Sequence, residues 1–284
     1  MPINYDELMS MSVLDEPYEY TETDSMLYAL GVGFASDPMD RQELNYVADL
    51  HSLRTVPSMA SMIVPAGLLD HCGWDRSKVL HSEQRLELYR PLPSAAKLLA
   101  NHRVVGVYDL GADTGARILV ESEARLARDE TVLFSLLTIL LARGDGGFGG
   151  PAGKPMTAVK LPQREPDLQC ELATRPDQAL LFRLSGDFNP LHADPAYARR
   201  AGFRAPILHG RCTYGVACHA ILKTICEYDF TLIAGFDARF SAPVYPGDVI
   251  TTEMWQERNI VHFRCRVAER SVTVIDVGRC TLAV

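Results

Sequence analysis

Residues 143–154 read RGDGGFGGPAGK: six glycines and a proline within twelve positions. Such a stretch cannot continue a helix or a central strand, because glycine carries the largest conformational entropy and proline removes a backbone donor. It falls near the middle of a 284-residue chain and lies between two regions rich in apolar and β-branched residues. The chain therefore reads as two units, 1–143 and 155–284, joined by a linker over 144–154. The run also contains Gly144-x-Gly146-x-x-Gly149, a formal dinucleotide-binding pattern. That pattern needs a helix opening directly behind it, and the following GPAGKP cannot start one.

The two units repeat an order of features. LYALGVGFASDP at 27–38 is similar to LFRLSGDFNPLHADP at 181–195, at an offset of 154 residues. VPSMASMI at 56–63 is similar to APILHGRC at 205–212, at an offset of 149. The second unit then shows one helical pattern over 213–228, followed by strand-like segments at 230–244, 248–258, 260–270 and 271–284. The first unit shows three strand-like segments, at 102–112, 116–129 and 131–144, with GADTG as a hairpin turn. One helix followed by antiparallel strands, twice over, predicts an α+β fold in which each sheet buries its apolar face on a helix.

The copies differ where chemistry would sit. The second has Asp187-Phe188 where the first has Gly33-Phe34, and His209-Gly210 where the first has Ala60-Ser61. The window SGDFNPLHADP, 185–195, sets an acid and an imidazole five residues apart, with Pro190 stiffening the peptide between them. Read alone, Asp-x-Asn-Pro is a common turn and capping sequence. Asp187, His192, Asp194 and His209 also have the residue types of an iron or zinc site, although no HxH or HExxH spacing is present.

The net charge of −8 weighs against nucleic acid or an anionic membrane as partner. The longest apolar run, 131–142, is too short to cross a bilayer. Seven cysteines without a CxxC predict no disulfide framework, and the acidic N-terminal stretch does not resemble a secretion signal. A cytoplasmic location is the expectation.

Continuous register from Leu184 to Gly215, LSGDFNPLHADPAYARRAGFRAPILHGRCTYG, closely resembles the MaoC-like, (R)-specific (type 2) enoyl-CoA hydratases. YALGVG at 28–33 and RGDGGFGG at 143–150 look like the degenerate copy of two-copy members. The resemblance implies a double hot dog, two antiparallel sheets each wrapped on a central helix, with the first unit as scaffold and acyl-pocket wall. It implies reversible hydration of trans-2-enoyl-CoA to (3R)-3-hydroxyacyl-CoA without metal or organic cofactor, and a homodimer. By the same correspondence Asp187 and His192 hold the attacking water. Gly210 supplies an amide to the thioester oxyanion, while Asn189 and His209 support them. Arg199, Arg200, Arg204 and Lys154 are candidates for the CoA phosphates, since basic side chains near the motif suit phosphate. The identity of the acyl group stays open between fatty, branched and steroid side-chain esters. The rival readings are a hot-dog thioesterase and a non-catalytic acyl-CoA-binding subunit.

Overall fold

A computed structural model of the chain describes residues 3–48, 52–65, 68, 78–153 and 160–284. Its strands are β1 (Ser12–Tyr20), β2 (Val79–Leu88), β3 (Ala96–Asp109), β4 (Ala116–Leu126) and β5 (Val132–Ala142), then β6 (Leu168–Ala173), β7 (Ile233–Phe240), β8 (Val249–Glu257), β9 (Ile260–Val267) and β10 (Val272–Leu282). They form one ten-stranded antiparallel sheet in the order β1-β3-β4-β5-β2-β7-β10-β9-β8-β6. Read inward from either edge, the order is the same: first, third, fourth, fifth, second strand of each unit. The two five-stranded halves meet where β2 pairs with β7, from Glu83 opposite Arg239 to Glu87 opposite Gly235.

Period-two burial drives the strands. On β4, Ala116, Ile118, Val120, Ser122 and Ala124 are buried, while Arg117, Leu119, Glu121 and Glu123 face outward. The β3–β4 hairpin turns through Gly111 and Gly115 at positive φ. A Cβ on Gly115 would lie 2.3 Å from the Ala142 carbonyl oxygen, so only glycine fits there.

Four shorter helices, α1 (Tyr5–Ser10), α2 (Glu22–Gly31), α3 (Arg41–Leu44) and α4 (Ala60–Ile63), belong to the first unit. The second has α5 (Gln178–Phe182), α6 (Pro195–Arg200) and α7 (Gly210–Thr224). Every residue of α7 from Cys212 to Leu222 is buried, as expected of a helix that is apolar all round. It packs on β6, β7 and β8 and reaches the first unit at Gly215, where a Cβ would sit 2.4 Å from Val32. The corresponding helix of the first unit, α4, is preceded by a 3₁₀ turn at Pro57–Met59 and spans four residues. Pro65 explains the stop: proline pushes the residue before it out of the helical region. The central helix expected twice is thus long in one unit and, among the described residues, a single turn in the other. The helices that precede the two diverged loops, α2 and α5, pack on each other, with the Gln178 amide donating to the Gly31 carbonyl at 2.6 Å.

The glycine-rich segment is bound to the first unit over its described part. The amides of Gly147 and Gly149 donate to the Asp109 carboxylate, each at 2.8 Å, and Ala152 bridges to Asp109. The amides of Gly147, Gly111 and Gly149 hold that carboxyl below its ordinary pKa. Phe148 packs against the small core of Leu8, Val104, Val107 and Ile118. Lys154, the last residue of the segment, lies outside the described residues, as do His51, His71 and Cys72. The other six cysteines are free and buried. No helix among the described residues is long and apolar enough to cross a membrane.

Candidate active site

The chain from α5 to α7 is a series of short capped turns that leaves little freedom to the side chains on it. A 3₁₀ turn at Arg183–Ser185 ends at Gly186, whose φ of 113° is left-handed. The Asn189 side chain then accepts from the Leu191 amide at 3.0 Å and caps a second 3₁₀ turn, Pro190–His192. Asp194 caps α6 by accepting from Ala196 and Tyr197. These turns bring Asp187, His192 and the start of α7 to one cavity of about 330 Å³. The opposite wall comes from the first unit, with Val79, Leu80, His81, Leu140 and Leu141.

His192 is 8% exposed. Its Nδ1 lies 2.8 Å from the Ile207 carbonyl, which can only accept, so Nδ1 carries the proton and Nε2 keeps its lone pair. Burial lowers the His192 pKa, against the Ile207 carbonyl and Asp187, so the ring is neutral at pH 7. His209 is buried too. Its Nε2–H donates to the backbone carbonyl of Asp187 at 3.1 Å, which fixes the peptide that carries the acid. Burial first, and then His192, push His209 down to about 3. Burial works to raise the Asp187 pKa, but His209, Arg211 and His192 outweigh it, and the carboxyl sits below its ordinary value. Asp187 also accepts from the Asn189 amide at 3.3 Å.

Ligating atoms of Asp187, His192 and His209 all lie within 4.8 Å of one another. Two hydrogen bonds of about 2.8 Å meeting at a tetrahedral oxygen place their outer atoms about 4.6 Å apart. The 4.8 Å bound is compatible with that span. An ion held by both imidazoles fits poorly. Their rings are stacked at 3.7 Å and 28°, whereas each Zn–N bond of about 2.0 Å lies in the plane of its ring. Asp194, the fourth residue of the metal reading, is committed to its cap.

Gly210 opens α7, and the first intrahelical bond runs from the Thr213 amide to the His209 carbonyl at 3.0 Å. The amides of residues 210–212 thus have no intrahelical acceptor and mark the positive end of a fifteen-residue helix. Gly210 lines the cavity and faces Phe240, whose ring would be 3.7 Å from an added Cβ.

Asp187, Asn189, His192 and Gly210 thus share one cavity, with His209 directly behind. The arginine candidates do not line it. Arg199, Arg200 and Arg204 are exposed; Arg200 lies over the Tyr197 ring and Arg204 over Tyr245, at 5.4 and 4.3 Å. Two ionisable lining residues, His81 and Arg211, escaped the sequence reading. His81 is turned inward at an irregularity in the β2–β5 register between His81 and Glu83, and burial holds its pKa at about 3. Arg211 lies in the first turn of α7, two residues before the helical pattern read from the sequence begins.

The family described as MaoC like domain matches residues 157–278, and the MFE-2 hydratase 2 N-terminal domain matches residues 18–144. Enoyl-CoA hydratase ChsH3 of Mycobacterium tuberculosis is 38% identical over 264 residues, covering 90% of this chain and 91% of its own. The chain belongs to the MaoC-like hydratase 2 family. The peroxisomal enoyl-CoA hydratase 2 of Arabidopsis thaliana is 39% identical, covering 96% of this chain and 93% of its own. Among solved structures, the MaoC-like dehydratase of Phytophthora capsici superposes with a TM-score of 0.84 at 30% identity, covering 99% of this chain and 98% of that one. The sheet order with its internal two-fold repeat is that of a double hot dog.

Proposed function

We propose that this MaoC-like hydratase adds water to trans-2-enoyl-CoA to give (3R)-3-hydroxyacyl-CoA, and catalyses the reverse elimination. The observation that carries the reading is that Asp187 and His192 offer polar atoms within 4.8 Å of each other on one cavity that Gly210, the first residue of α7, also lines. The water donates one hydrogen bond to the ionised Asp187 and one to His192 Nε2. As its oxygen attacks C3, His192 takes the proton and becomes an imidazolium beside the Asp187 carboxylate. Burial makes that imidazolium a stronger acid than a free one, so it passes the proton to C2. Charge that builds on the thioester oxygen meets the amide of Gly210 and the positive end of α7. His209 acts on this chemistry by holding the Asp187 peptide. No step calls for a metal or an organic cofactor.

The test is the loss of enoyl-thioester absorbance with crotonyl-CoA, coupled to a dehydrogenase that oxidises only the (3R) product. Turnover in that coupled assay supports the reading. Release of free thiol in place of hydration would assign a thioesterase, and inertness towards the enoyl ester would assign a binding subunit.

A further inference from the structure

Arg211 brings a positive charge into the cavity that the hydration chemistry described above does not use. Among the described residues it is the only lysine or arginine lining that cavity. It is partly buried, and among the described residues its hydrogen-bond partner is the Met62 sulfur at 3.8 Å, a weak acceptor. Asp187 is near enough to act on it electrostatically, but no hydrogen bond or ion pair joins the two. Two features disfavour a cation in this place: it is partly desolvated, and it sits in the first turn of α7 where the helix dipole is positive. Burial accordingly pulls its pKa below the ordinary value. A guanidinium kept under such conditions gains most from an anion that arrives with the ligand.

We propose that Arg211 forms an anion subsite for the acyl group, and that the preferred substrates are enoyl-CoA esters with a carboxylate on the acyl chain. The proposal rests on the enoyl-CoA reading and adds the substrate class. A carboxylate matches the planar fork of the guanidinium with two parallel hydrogen bonds. The phosphates of CoA are a poorer match, because the whole pantetheine arm separates them from the thioester and Arg211 shares its cavity with Asp187. Leu80, Leu140 and Leu141 give the same cavity an apolar wall for the methylene chain. Met62 lies on α4 of the first unit, so the subsite is built by both units.

The experiment compares kcat/KM for pairs of trans-2-enoyl-CoA esters of equal length, one ending in methyl and one in carboxylate, across several chain lengths. Wild type is expected to prefer the carboxylated ester at one or more lengths. In Arg211→Leu that preference should fall roughly 10- to 100-fold, mostly through KM, the size of one charge-assisted contact. Arg211→Lys, which keeps the charge and loses the fork, should fall between the two. A wild-type preference for the methyl ester at every length overturns the proposal. So does an equal loss on both esters in the variants, which would place Arg211 on the thioester oxygen. Failure of wild type to hydrate either ester would instead overturn the enoyl-CoA reading. The wild-type preference is measured without any variant, so a poorly folding substitution leaves the test intact.

Discussion

Two loops occupy corresponding places in the two units, and one is filled where the other is open. After α2, the chain from Gly33 onwards turns Phe34, Glu43 and Tyr46 inward. Phe34 stacks on His219 at 3.7 Å and 18°, and Tyr46 and Tyr228 close around the pair. Glu43, 1% exposed, accepts from the Ala35 amide, His219, Lys223 and the Tyr228 hydroxyl. After α5, the chain from Asp187 onwards spends its polar groups on its own backbone and leaves the space in front of Asp187 and His192 empty. The same strand order carries both. The two loops differ in whether their side chains fill the hollow beside the sheet or line it.

The largest effect that would break this contrast lies in the second loop. Asp187→Asn and His192→Gln should each lower kcat by roughly 10²–10⁴-fold, the usual contribution of one positioned proton-transfer group. The melting temperature should stay close to wild type, because neither substitution changes side-chain volume much. Near-normal turnover in either variant, measured with crotonyl-CoA, would show that the open loop is not the catalytic one.

In the first loop the same kind of change should act on stability. Burial alone would raise the Glu43 pKa, but His219, Tyr228 and Lys223 more than reverse this and hold it at about 2. Glu43→Ala removes the common acceptor of four donors. It should cost about 3 kcal/mol in urea unfolding, the scale of breaking a buried charge pair. The acid limb of the rate profile should not move. A shift of that limb would connect the filled loop to the chemistry and dissolve the distinction.

How far the contrast was legible in sequence follows from the kind of signal each part carries. Strands β7 to β10 and the β3–β4–β5 meander were readable because apolar residues recur along them and turn sequences such as GADTG, YPGD and ERN separate them. β2 was missed. Its His81, Glu83, Arg85 and Glu87 look like a solvated segment, and its buried Gln84 is satisfied by the Thr138 hydroxyl at 3.1 Å, a partner 54 residues away. β1 and β6 are edge strands, and β1 contains Pro17, which weakens any strand reading. At the site, the motif from Ser185 to Pro195 and the His209-Gly210 pair named Asp187, Asn189, His192 and Gly210, which share one cavity, and His209 behind it. Position within the motif also drew in Arg199 and Arg200, which α6 carries out to solvent. His81 and the leucine wall come from the other half of the chain, and local pattern holds no record of a contact across the β2–β7 seam.

The rate profile with pH sharpens the account of the open loop. His192 must be neutral to accept a proton, and burial sets its pKa below 6.5. Asp187 must be ionised, and its pKa lies below 3.8. Activity should therefore persist as pH falls through 6.5 and be lost only on further acidification, as His192 takes up a proton. Stability follows the same direction. His81 and His209 titrate at about 3 in the folded chain and near 6.5 when unfolded. Between those values the unfolded state binds more protons, so stability should fall as pH falls through that window. A kcat/KM profile whose acid limb stands above 6.5 would remove His192 as the neutral base.

The smallest effect separates the two duties within the catalytic segment itself. Asp194 lies two residues beyond His192 and belongs to the same run of turns, yet its carboxylate is occupied by the Ala196 and Tyr197 amides at 2.7 and 3.2 Å. Asp194→Ala should cost about 0.5–2 kcal/mol of stability, as loss of an N-cap does. It should change kcat little, because the 3₁₀ turn that aims His192 is capped independently by Asn189. Asp194→Asn keeps a capping oxygen and should restore the stability. If Asp194→Ala abolished turnover while the Asn variant stayed inactive with normal stability, the carboxylate itself would be at work, and the open loop would carry a third acid–base group.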